Sequence, residues 1–188
     1  MPITLNGSGT VSGISAGGLP DGIIQSADLA SGVGGKILQV VSTTKTDTAS
    51  TNSTSFVTTG LEQAITITSG NKVLITMDMY VGAIAGYSIA FQLYNGSSQV
   101  TAFQGNDNGG SIRGFAGDFI TSVRYGQVSA AHQFLDTPSG TSQNYKVYFR
   151  NGFSNNGVTV YLNRPEQNPT HAQSVATCST LTLMEIAA

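Results

Sequence analysis

Two neighbouring runs limit what this chain can become: EQAITIT (62–68) and KVLITMDMYV (72–81), separated by Ser69, Gly70 and Asn71. Apolar and polar residues alternate through both, so each reads as a strand with one buried face. A helix would scatter the same residues around its circumference. In the second run Val73, Ile75, Met77 and Met79 share one side, opposite Leu74, Thr76, Asp78 and Tyr80. A short turn containing Gly and Asn between two such runs has the form of a β-hairpin, which is expected here.

The pattern spreads through most of the chain. KILQVVSTT (36–44) reads as a strand. The Ser- and Thr-rich stretch 42–59 reads as a polar loop and then an edge strand through Phe56 and Val57. YSIAFQLYN follows, with Ile89, Phe91 and Leu93 pointing one way, then the turn Asn95-Gly96 and SQVTAFQ. Beyond the polar loop GNDNGG come FAGDFITSVRYG, AHQFLDT, NYKVYFRN, VTVYLN and STLTLMEIAA. Short strands every 10 to 15 residues or so, with no helical period between them, indicate an all-β antiparallel fold. About ten strands favour a two-sheet sandwich, a jelly roll.

Composition agrees. Only 10% of residues are charged, against roughly 25% in typical soluble domains. Ser, Thr, Asn, Gln and 23 glycines fill the gap, which suits strands and turns rather than surface helices. The net charge is −2 and the eight Lys and Arg are scattered, so no basic stripe exists to follow a nucleic-acid backbone. Low charge leaves little repulsion between copies, as suits an assembly component. No apolar run reaches the ~20 residues of a membrane span, and MPITLNGSG lacks the regions of a signal peptide. Synthesis and retention in a cytoplasm are therefore expected.

Residues 1–36 differ from the domain expected over 37–188. They are rich in Gly, with isolated apolar residues at Ile3, Leu5, Val11, Ile14, Leu19, Ile23 and Ile24 and a turn at Pro20-Asp21-Gly22. Alone, such a segment buries too little to offset chain entropy. Two readings stand: an extended arm that orders against a partner, which is preferred, and a disordered leader. At the other end, STLTLMEI puts Leu181, Leu183 and Glu185 on one face and Thr182, Met184 and Ile186 on the other. Apolar residues on both faces fit a strand covered twice. Either a neighbouring subunit or a loop of the same chain supplies the second cover, and the candidate subunit-contact residues are Leu181, Leu183, Met184 and Ile186.

No catalytic constellation emerges. Gly34-Gly35-Lys36 fails as a phosphate loop, because Ala30 stands where Gly is needed and Ile37 where Ser or Thr is needed. His132 and His171 form no H-x-x-x-H or H-x-H pair, and Cys178 has no partner cysteine. No G-x-S-x-G elbow accompanies the many serines. Asn106 to Gly110 has oxygen ligands but lacks the later acidic residue of a calcium loop, so a plain turn is preferred. No cofactor or metal is expected. The seven tyrosines, Tyr80, Tyr87, Tyr94, Tyr125, Tyr145, Tyr148 and Tyr161, leave contact with a glycan open.

Four motifs carry a resemblance: Asp136 to Pro138, Tyr145 to Val147, Asn163-Arg164, and the terminal run Ser179 to Ile186. In this order they resemble the C-terminal domain of tail-fibre and related virion structural proteins of tailed bacteriophages. The leader TLNGSGTVSGISAGGLPDGII is similar to one common in those proteins. The resemblance implies a compact β-sandwich, often a homotrimer similar to tumour-necrosis-factor jelly rolls, joined to the virion by its N-terminal segment. Those relatives usually carry a long shaft between leader and domain, whereas here the two adjoin. The expectation is therefore a short knob: a capsid decoration (cement) protein or head fibre bound to the major capsid protein or another virion protein. The arm residues Ile3, Leu5, Val11, Ile14, Leu19, Pro20, Ile23 and Ile24 would anchor it. The alternative is a tail-tip module that contacts host polysaccharide.

Overall fold

The computed structural model describes Thr4–Leu5, Val11–Ser12 and residues 36–84, 86–120, 126–152, 157–167 and 170–188. The chain divides into two units, Met1–Lys36 and Ile37–Ala188. In the first, β1 (Thr4–Leu5) and β2 (Val11–Ser12) pair antiparallel, with Leu5 opposite Val11.

The second unit holds β3 (Ile37–Lys45), β4 (Ala49–Thr51), β5 (Val57–Thr66), β6 (Lys72–Ala83), β7 (Tyr87–Asn95) and β8 (Ser98–Gln99). They are followed by β9 (Ala116–Ile120), β10 (Val128–Asp136), β11 (Ser142–Asn151), β12 (Val160–Leu162) and β13 (Ser179–Ile186). One sheet runs β3-β13-β6-β10, with β12 and β4 continuing it beyond the end of β13. The other runs β5-β11-β7, with β8 and β9 along the far edge of β7. All these pairings are antiparallel. Counting the eight principal strands in chain order, the sheets read 1-8-3-6 and 2-7-4-5, the strand order of a jelly roll.

Alternation predicts the buried face correctly but not the pairing. On β6 Val73, Ile75, Met77, Met79, Val81 and Ala83 are fully buried, each worth roughly 1.5–3 kcal/mol for the larger side chains. They meet Ile89, Phe91 and Leu93 of β7 and Tyr145, Val147 and Phe149 of β11 in one core. The expected hairpin does not form. β5 and β6 lie in opposite sheets, and Ser69 to Asn71 carry the chain across the sandwich. Period-2 patterning fixes which side of a strand is dry; it is silent on whether the next strand lies beside it or across the core. The Asn95-Gly96 turn does make a hairpin, though β8 has only two residues before a 3-10 turn at Thr101–Phe103.

That turn brings Phe103 between Phe134 of β10 and Phe115, with ring centroids 4.3 Å and 5.1 Å away. The stacked rings fill the side where β10 and the β7–β9 edge leave the core open. A second close contact lies at Gly82 in β6. A Cβ there would sit 2.5 Å from the Arg164 carbonyl oxygen and 3.0 Å from the Pro165 Cα. Backbone lies directly on this position, so Gly82→Ala must displace the 164–166 segment. A loss of about 1–3 kcal/mol is expected, read as a lower urea midpoint with unchanged slope.

Candidate functional site

Among the described residues no three His, Cys, Asp or Glu side chains gather as a metal site. His132 lies on β10 with its ring edge-on to Phe115 at 5.6 Å, a packing role. The His171 Nδ1 accepts the Gln173 N–H at 3.2 Å within a turn. Cys178 is exposed just before β13. The Asp107 carboxylate accepts the N–H groups of Gly110 and Gly109, both at 3.0 Å, and these two donors lower its pKa. Its acceptor capacity closes the turn. Among the described residues no helix is long and apolar enough to cross a membrane.

The organised polar chemistry lies instead inside the sandwich. Tyr145 is fully buried, and its hydroxyl donates to Asp136 Oδ2 at 2.6 Å. Burial, then the adjacent carboxylate, pushes the tyrosine pKa upward. Asn163, at φ 63°, takes a left-handed turn that Asn tolerates better than most residues. Its Nδ2 donates to the carbonyls of Lys45 and Asp47 at 2.8 and 2.9 Å, and its Oδ1 accepts the Ser179 hydroxyl at 2.6 Å. One side chain thus ties the end of β12 to the β3–β4 loop and the start of β13. Arg164 turns outward and lies over the Tyr161 ring at 4.3 Å.

Glu185 is the largest surprise. It faces inward on β13 with 3% of its surface exposed. The carboxylate accepts from Gln39 Nε2, the Thr68 N–H and Asn71 Nδ2, each at 2.7 Å. Those three neutral donors, in that order of influence, outweigh burial and hold its pKa at about 2 against an ordinary 4.5. Asn71 Oδ1 also accepts the Ala188 N–H at 3.1 Å, so the same cluster fastens the residues after β13. Sequence reasoning placed Glu185 on the face with Leu181 and Leu183. It did not see that an acidic residue among them must have buried donors waiting.

Of the residues singled out as subunit contacts, Leu181 and Leu183 are fully buried in the core of their own chain. Their interface role is corrected: strand parity points them at the opposite sheet, and no surface remains for a neighbour. Met184 and Ile186 are half-buried on the outer face. Of the arm residues, Leu5 and Val11 are register partners in the β1–β2 pair. Ile3, Ile14, Leu19, Pro20, Ile23 and Ile24 lie outside the described residues, as does Tyr125.

The outer face of the second sheet gathers charge and rings. Lys146 pairs with Glu62 at 3.3 Å, the Tyr94 and Tyr148 rings meet at 4.1 Å with a 32° tilt, and the Arg150 guanidinium sits 5.7 Å from the Phe56 ring. No family model matches this chain, and no curated protein matches it significantly. The described residues form an all-β sandwich with the strand order of a jelly roll.

The Glu185 cluster gives the fold an acid sensitivity. Its folded-state pKa lies below the unfolded one, so its stabilisation is complete above about pH 4.5 and drains away as pH falls toward 2. The melting temperature is expected to drop across that range. Glu185→Gln turns one acceptor into a donor facing other donors. It should be less stable at neutral pH by about 1–3 kcal/mol and lose less on acidification.

Proposed function

We propose that this chain is a non-enzymatic structural protein of a bacteriophage virion. It is a homotrimeric capsid decoration or short head-fibre protein attached to the particle through residues 1–36. One observation carries the reading. The motifs through which the sequence resembles virion proteins contribute the buried ties of the jelly roll: Asp136 with Tyr145, Asn163 with Ser179, and Glu185 with Gln39 and Asn71. Residues from separate motifs bond to one another, Asp136 to Tyr145 and Asn163 to Ser179, so the motifs on which the reading rests are joined in this chain's own fold.

The mechanism is assembly. A Gly-rich segment lets backbone approach a capsid surface closely, and three arms on one knob raise the effective concentration of each for its site. The major capsid protein is the favoured partner. A second reading, a tail-tip module that contacts host polysaccharide, draws support from the Tyr94–Tyr148 ring pair on the same outer face as Lys146 and Glu62. Glycan-array binding or blocking of host adsorption by the purified protein would favour it.

Removal of residues 1–35 tests the first reading. The remaining domain is expected to stay folded and oligomeric but to fail to co-sediment with particles that lack it. Undiminished co-sedimentation would sink the anchoring role of the arm.

A further inference from the structure

The described residues include three Asn-Gly steps: Asn95-Gly96, Asn108-Gly109 and Asn151-Gly152. Such a step carries its own reagents. The side-chain amide carbon of asparagine lies within reach of the next residue's backbone nitrogen, and a following glycine has no side chain to block the approach. How fast the two meet depends on how firmly the fold holds them.

Two of the three steps are held by their side chains. Asn95 Nδ2 donates to Gln143 Oε1 at 2.6 Å, and its Oδ1 accepts the Asn144 N–H at 3.0 Å. The Gly96 N–H donates to the Asn144 carbonyl at 2.8 Å. Asn151 is fully buried and its Nδ2 donates to the Val158 carbonyl at 3.1 Å, while the Gly152 N–H donates to the Ser88 carbonyl at 2.8 Å. Asn108 differs. It is exposed in the polar loop between the 3-10 turn and β9, and none of the described residues bonds to its amide. A Cβ at Gly109 would meet nothing within 4 Å, so the space around the step is open. Its one restraint is on the nitrogen, where the Gly109 N–H donates to Asp107 Oδ1 at 3.0 Å.

We propose that Asn108-Gly109 is a site of spontaneous modification, at which the asparagine amide converts to aspartate and isoaspartate while Asn95 and Asn151 persist. The Gly109 nitrogen gives its proton to solvent base and attacks Cγ of Asn108. The new C–N bond closes a succinimide ring as the Cγ–Nδ2 bond breaks, and Nδ2 leaves as ammonia after taking up a proton. Water then opens the ring. Cleavage at Cγ gives an ordinary aspartyl residue; cleavage at the main-chain carbonyl gives isoaspartyl, with the backbone rerouted through Cβ. Nothing is oxidised or reduced. Asp107 is the brake: it must release the N–H, and its negative charge opposes removal of that proton. Conversion adds one negative charge to the chain's net −2, beside Asp107. The isoaspartyl form also lengthens the main chain of the turn that Asp107 closes on Gly109 and Gly110. That turn must open, so the loop changes charge and shape as the molecule ages.

Incubation of the purified full chain in warm, mildly alkaline buffer tests this. Tandem mass spectrometry follows each Asn-Gly step, and enzymatic methylation counts isoaspartate. In the folded chain Asn108 is expected to convert faster than Asn95 or Asn151 by about ten-fold or more, because their hydrogen bonds must open first. In urea the three rates should converge. Asp107→Ala should speed conversion at Asn108, and Asn108→Gln should remove the isoaspartate signal at that step without lowering the melting temperature. Equal rates at all three steps in the folded chain overturn the selectivity. An Asn108 that survives in the folded chain while converting in urea overturns the site, and an unchanged rate in Asp107→Ala overturns the brake.

Discussion

The fold depends on β6 having two occupied edges and one dry face. Its inward residues, Val73 to Ala83 at every second position, are fully buried. One edge pairs with β10 and the other with β13 and then β12. Removing solvent from those side chains is the main stabilising contribution. It requires that every backbone N–H and C=O along the strand find a partner, which neighbours on both edges provide. The remaining architecture arranges other strands around that requirement.

The buried polar groups follow from the same constraint. A closed sandwich traps the ends of its connecting loops, and polar groups left there unpaired would cost about 1–3 kcal/mol each. Asn163, Glu185 and Tyr145 meet this need at three junctions. Two of them bond segments far apart in sequence, Asn163 to Lys45 and Glu185 to Gln39, while Tyr145 ties neighbouring β10 and β11 through Asp136. They select one arrangement of strands over others that would bury equal apolar area.

Much of this was legible in the sequence. Alternation located the strands and their dry faces, including Ile89, Phe91 and Leu93 on β7, because side-chain direction follows from backbone geometry alone. Strand partners were not legible in the same way. The turn at Ser69 to Asn71 suggested a hairpin but serves as a crossing between sheets, a choice made by the whole core. Leu181 and Leu183 were placed on the right face and given the wrong neighbour for a related reason: one strand's pattern cannot say which side its sheet covers. Gly82 gave no signal, since its requirement comes from the backbone of residues 164–166. The Asn-Arg motif did mark Asn163, although its left-handed turn becomes visible only in three dimensions.

The position of β13 bears on how the molecule comes into being. It lies between β3 and β6, yet among the strands of the first sheet it is the last to be made. Until it arrives, two long strands each hold an open edge toward a gap, and the inner face between them is wet. Such edges are templates for pairing with other chains. The sheet is finished from its middle rather than its rim, so the domain reaches its native order late and all at once. In a crowded cell, the arrival of β13 becomes the moment at which these open edges either close correctly or meet a neighbour's.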